Sequence, residues 1–196
     1  MIMLNCRKTS QSGFSLIELL VALIVFSIGL LAIAGLQTVS KRANYESLQR
    51  TTAAQVANGA LEDMRTNGAG IDIYLAAGDI GGGSRGAQPA PNCSAGAECN
   101  PAQKAAYDIW FWEQMIDGNL EMNAGTAAGG LVLPTLCVTG PVAGGAGTYQ
   151  VTIVWRGSAT LTSAANNPCG LAGGNYGAQN ELRRIVQIPT FIDPNF

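Results

Sequence analysis

The sequence predicts an α+β protein. One long N-terminal helix, membrane-spanning in its first half and amphipathic in its second, packs on a small antiparallel β-sheet head. Three observations predict it. An apolar run occupies Phe14–Leu36 with Glu18 as its single charge. No proline falls between residues 14 and 66, so nothing breaks a helix that continues beyond the run. Residues 131–188 hold β-rich, alternating segments separated by Gly- and Asn-rich loops.

Composition removes several function classes. Charged residues make up 12% of the 196, about half the usual share of roughly 25%, and the net charge is −2. Nucleic-acid partners are therefore not expected, since they call for a concentrated basic surface. The chain has no histidine, which excludes His-based triads, His general bases and His metal ligands.

The first element is the apolar helix. Its 23 residues, 14–36, span about 34 Å as a helix, enough for a hydrocarbon core of roughly 30 Å. Residues 1–13 carry Arg7 and Lys8 and no acid, which favours a cytoplasmic N-terminus; Lys41 and Arg42 beyond the run pull the other way. The run is too long for a secretory signal, and its small flanking residue, Gly13, precedes it. Glu18 costs up to about 2.5–3.5 kcal/mol in lipid, whereas the 14 Leu, Ile, Val and Phe of residues 16–36 supply roughly −4 to −8 kcal/mol. The segment inserts despite the acid, so insertion does not explain the acid. One reading is a carboxylate that reaches back to the membrane edge. The other is a carboxylate that waits for a cation. Cleavage after Gly13 would supply one: Phe14 would carry a free amine with Glu18 four residues on, one helical turn away.

Residues 38–66 continue as helix, with Val39, Ala43, Val56, Ala57, Ala60, Leu61 and Met64 near a 3.6-residue spacing. Two helices hinged near Gly35 are the alternative. Residues 68–100 read as a Gly-rich surface loop containing Gly81-Gly82-Gly83; a phosphate cradle would need a strand before it and a helix after it. Asn100-Pro101 opens a helix over 101–117 that Gly118 stops. Ala105, Ile109, Trp112 and Ile116 form its apolar face, with Trp110 and Phe111 alongside, and core packing is preferred to exposed subunit contact for these aromatics. Asp108, Glu113 and Glu121 read as its solvated side and exit. Strands are expected at Leu131–Val138, with Pro134 demoting it towards an edge or bulge, at Tyr149–Trp155, and at Glu181–Ile188.

Of five cysteines, Cys6 lies in the basic segment 1–13. The other four, Cys93, Cys99, Cys137 and Cys169, permit three pairings, of which Cys93–Cys99 and Cys137–Cys169 are favoured. A metal site is not expected without Cys-x-x-Cys or His, and a nucleophilic Cys would have no His to activate it.

Gly13-Phe14-Ser15-Leu16-Ile17-Glu18 resembles the processing site of type IV prepilins and of type II secretion pseudopilins. The longer stretch Gly13–Gln37 is most similar to the minor pilins of the PilV, or type IV pilus modification, family. Cys99-Asn100-Pro101 through Ala106, Asp108 and Trp112 resembles that family more weakly. The resemblance implies the lollipop shape of pilins and a leader, residues 1–13, removed by a membrane aspartic peptidase, the prepilin peptidase. It implies that Phe14 becomes the N-methylated first residue and that Glu18 serves assembly. The implied organisation is a transmembrane and assembly helix at 14–37 and a periplasmic head at 38–196. The implied partners are other minor and major pilins, met through the N-terminal helix, and the assembly platform of the inner membrane. Location would be the inner membrane, then the pilus. No cofactor is implied. A type II secretion minor pseudopilin shares the N-terminal argument. A membrane-anchored periplasmic enzyme using Asp108, Glu113, Asp117 or Glu121 as paired carboxylates is the reading from another class.

Overall fold

The computed structural model describes residues 13–94, 98–127, 129–161 and 166–194. Met1–Ser12, with Cys6, Arg7 and Lys8, lies outside them, as do parts of the two loops expected at 68–100 and 163–180. The chain divides into two compact units, Met1–Ala43 and Asn44–Phe196.

Helix α1 runs Leu16–Thr66 without a break at Gly29 or Gly35. Its large apolar residues from Phe14 to Val39 are all exposed. Burial begins at Gln49 and then falls on Ala53, Val56, Ala57, Ala60, Leu61 and Met64. That i, i+3, i+4, i+7 pattern is one stripe of a helix resting on a core. The small side chains within it let other elements approach closely.

The segment expected to be loop contains a short helix, α2 (Ile71–Leu75), preceded by a turn of tighter helix at Gly68–Gly70. Ile71 and Tyr74 anchor it in the core. Five residues are too few to show a period in sequence. Helix α3 spans Pro101–Asp117. Asn100 accepts from the Gln103 amide while the Gln103 side chain accepts from the Asn100 amide, a reciprocal cap, with Pro101 at the first helical position. Gly118 stops the helix at φ 76°. A Cβ there would lie 2.0 Å from the Gly129 carbonyl oxygen, so only glycine fits both the turn and the returning chain.

A small hairpin follows, β1 (Met122–Asn123) and β2 (Thr126–Ala127), turning through Ala124-Gly125, both at positive φ. The main sheet has β3 (Thr135–Thr139), β4 (Gly147–Arg156) and β5 (Arg183–Ile192), all antiparallel with β4 central. β3 starts only after Pro134, not at Leu131. Leu133 has φ 48°, and proline has no amide hydrogen for a ladder, so residues 131–134 form a connection. β5 begins and ends later than expected and includes Pro189, which an edge strand tolerates.

Alternation along β4 sorts the core. Tyr149, Val151, Ile153 and Trp155 join the cluster that contains α1 from Ala53 onward, α2 and α3. Val154 belongs to a second cluster with Cys137, Cys169 and Tyr176, so the loop before β5 covers the other face. Burying a side chain such as Ile153 or Val151 contributes about 1.5–3 kcal/mol, and this two-sided burial gives the three-stranded sheet its stability.

Candidate functional site

The N-terminal segment is open. Phe14 is 84% exposed, Glu18 lies in the first turn of α1, and the Ser15 carbonyl accepts from the amides of Glu18 and Leu19. An acid in that turn is favoured by the unpaired amides of a helix start. Gly13 has free space: a Cβ would meet nothing within 4 Å. Its lack of a side chain therefore relieves no crowding among the described residues. Any requirement for glycine there would come from a molecule that acts on the segment. The 18-residue core of the apolar run is wholly unburied, and α1 is long and apolar enough to cross a membrane.

The acids of α3 correct the sequence reading. Asp108 and Glu113 are not on a solvated face; they are 2% and 0% exposed. Glu113 accepts from the Gly81 amide (3.2 Å), the Ser84 hydroxyl (2.6 Å) and the Arg85 amide (2.9 Å). Asp117, one turn on, accepts from the amides of Gly82 (3.0 Å) and Gly83 (2.9 Å). The Gly81–Gly83 run does cradle anions, but the anions are the chain's own carboxylates. Gly81 has φ 140°, and a Cβ on it would stand 2.4 Å from the Pro134 carbonyl oxygen. Paired bonds between the Ile80 and Leu136 backbones hold the same loop to β3.

Asp108 accepts from the Tyr74 hydroxyl at 2.6 Å and pairs with Lys104. Asn67 donates to that hydroxyl and to the Pro101 carbonyl. Burial, then the Asp108 hydrogen bond, pushes the Tyr74 phenol far up, so it stays a proton donor. Trp112 stacks on Tyr74 and donates to Asp63 at 2.8 Å. Desolvation raises the Asp63 carboxyl despite that bond. Asp63, Asp108 and Glu113 are thus each engaged by donors of the fold. Trp110 is half-buried and donates to the Gly86 carbonyl, which ties it to the Gly-rich loop. Glu121 stays exposed beyond the helix, as its place after Gly118 suggests.

Cys93 is bonded to Cys99 and Cys137 to Cys169. The second bond joins β3 to the loop before β5, across the back of the sheet. Arg183, 4% exposed, donates to the carbonyls of Asn167 and Cys169 and pins that loop from the other end. The Asp79 carboxylate approaches both sulfurs, but these are bonded to one another and offer no thiolate. Glu46 holds Arg184 through two hydrogen bonds of 3.1 Å and accepts from the Ser158 amide and hydroxyl. Sequence spacing gave no sign of this pair, 138 residues apart.

Two family models match the chain. The prokaryotic N-terminal methylation motif covers residues 8–34, and the type IV pilin Tt1218 model covers residues 35–110. No curated protein and no solved structure matches. The exposed apolar helix, the small antiparallel sheet and these two adjoining matches lead to one conclusion: the chain is a type IV pilin, a structural and non-catalytic subunit.

Proposed function

We propose that this pilin is a minor subunit of the PilV type that helps to initiate and assemble type IV pili. Residues 1–13 are then a leader cut by prepilin peptidase between Gly13 and Phe14, and the new Phe14 amine is methylated. The helix 14–37 holds the subunit in the inner membrane, N-terminus in the cytoplasm and head in the periplasm. The assembly platform then moves it into a fibre at the cell surface. Its partners are the other minor and major pilins.

The observation that carries this reading is the Glu18 carboxylate in the first turn of an exposed apolar helix, four residues from Phe14. Moving a helix from lipid to neighbouring helices gains little from hydrophobicity, since both are apolar. Specificity must come from packing and from the rare polar group. A carboxylate of one subunit facing the terminal amine of the next would be strong at low dielectric and would fix the axial step. The similarity of Gly13–Gln37 to the PilV family supports the minor role.

Deleting the gene tests the role. A minor pilin that starts fibres leaves cells with few or no pili, and wild-type chain restores them. Normal piliation together with loss of protein secretion would overturn this in favour of a pseudopilin. Glu18→Ala chain is expected in the membrane fraction, processed, but depleted from sheared fibres. Its normal recovery in fibres would remove the charge-pair role.

A further inference from the structure

The β4–β5 register sets Trp155 directly opposite Arg184, so their side chains stand together on one face of the sheet. Arg184 is held in place. Its Nε and Nη2 donate to Glu46, and Nη2 also donates to the Ala159 carbonyl. Gly157 lies so close that a Cβ there would stand 2.5 Å from the guanidinium carbon. The remaining nitrogen, Nη1, is buried and has no acceptor among the described residues. The same is true of the indole nitrogen of Trp155, a residue 2% exposed. Trp110 and Trp112, by contrast, find acceptors in the Gly86 carbonyl and Asp63. Buried donors without acceptors are costly, and two on paired residues suit one group that offers two oxygens.

A cavity of about 350 Å³ adjoins both residues and is lined also by Glu46, Arg50 and Leu161. Glu46 and Arg184 neutralise each other. Arg50 is exposed and in no ion pair among the described residues, which leaves it as the uncompensated charge of the lining. Leu161, 51% exposed, and the Trp155 ring add apolar surface. A mostly apolar hollow with a few placed donors and one spare positive charge fits an organic monoanion.

We propose that this cavity binds a small organic monocarboxylate with a short aliphatic tail. One carboxylate oxygen accepts from Arg184 Nη1 and the other from the Trp155 indole. Arg50 balances the charge at the mouth, and the tail lies against Leu161. The exposed side chains of Arg50 and Leu161 give way to admit the ligand. Inorganic phosphate matches less well, since a dianion exceeds the one spare charge and brings no apolar part. The site lies within the Asn44–Phe196 unit and depends neither on the minor role nor on removal of residues 1–13.

The Trp155 indole N–H is the reporter. Full-length chain carrying nitrogen-15 indoles, in micelles of an uncharged detergent, is titrated with isovalerate at neutral pH and constant ionic strength. A saturable shift of the Trp155 signal, identified by its loss in Trp155→Phe, is expected, with the Trp110 and Trp112 signals unmoved. Isoamyl alcohol, which has the same tail and no charge, should not shift it, and neither should inorganic phosphate. In calorimetric titrations Trp155→Phe should weaken isovalerate binding about tenfold and Arg50→Gln a few-fold. Arg50 is exposed, so the second variant decides the matter where the first disturbs the core. Absence of a saturable shift would overturn the proposal. So would an equal shift with the alcohol or with phosphate, or an affinity unchanged in Arg50→Gln.

Discussion

Single residues carry opposite burdens in the two units. Gly13 meets no steric constraint among the described residues, so Gly13→Ala is expected to leave the head's thermal unfolding unchanged while slowing the proposed removal of residues 1–13, read by N-terminal sequencing. Glu113 is the reverse case. Glu113→Ala strips acceptors from the Gly81 and Arg85 amides and from Ser84. Exposing buried donors to no partner costs about 3 kcal/mol, a drop of roughly 6–12 °C in Tm by calorimetry, with Glu113→Gln losing less. Glu46 gives a pH signature. The Arg184 guanidinium holds its carboxyl below the usual 4.5. A lowered folded-state pKa means a contribution fully present above about 4.5 and lost as pH falls through the folded value. Glu46→Gln should therefore cost about 1 kcal/mol at neutral pH, and the difference from wild type should shrink in acid urea titrations. Asp63, raised by desolvation, has the opposite sign: its neutral form suits the fold, and its share of stability grows as pH falls through the raised value towards 3.8.

Among the elements, α3 was legible because its signals are local: a cap, a proline and a terminal glycine within one stretch. Tyr149–Trp155 was legible because alternation is local too. What escaped depends on distant chain. Nothing near Asp108 or Glu113 in sequence announces that the Gly81–Arg85 loop folds over them, so spacing placed both acids in solvent. Helix α2 escaped because only Ile71 and Tyr74 mark it. Pro134 pointed to an edge or bulge; β3 is indeed an edge strand, but it starts only after the proline. The two disulfides also act at this scale. Cys137–Cys169 has a sequence separation of 32 and Cys93–Cys99 of 6. Loop entropy gives about 3.7 and 2.4 kcal/mol respectively. Cys137→Ser with Cys169→Ser should lower Tm more than Cys93→Ser with Cys99→Ser, and should also loosen the Asn167–Tyr176 cover of the sheet, read by amide exchange.

The whole molecule divides its chemistry between the two units. From Asn44 onward the chain buries an apolar core and answers its buried acids with amides, hydroxyls and Lys104. Among the described residues up to Ala43, the large apolar side chains of α1 are exposed, and Glu18 sits among them. So exposed an apolar helix fits a membrane-anchored pilin. The apolar helix was legible from sequence, because such a run advertises itself by composition.

The central claim is that the chain is cut after Gly13, which sets a new amino terminus at Phe14, one helical turn from the Glu18 carboxylate. Intact mass and N-terminal sequencing of the natural protein from host membranes test it most directly. The account predicts a chain that starts at N-methylated Phe14. Recovery of chain still carrying residues 1–13, in cells that process their other prepilins, would contradict it.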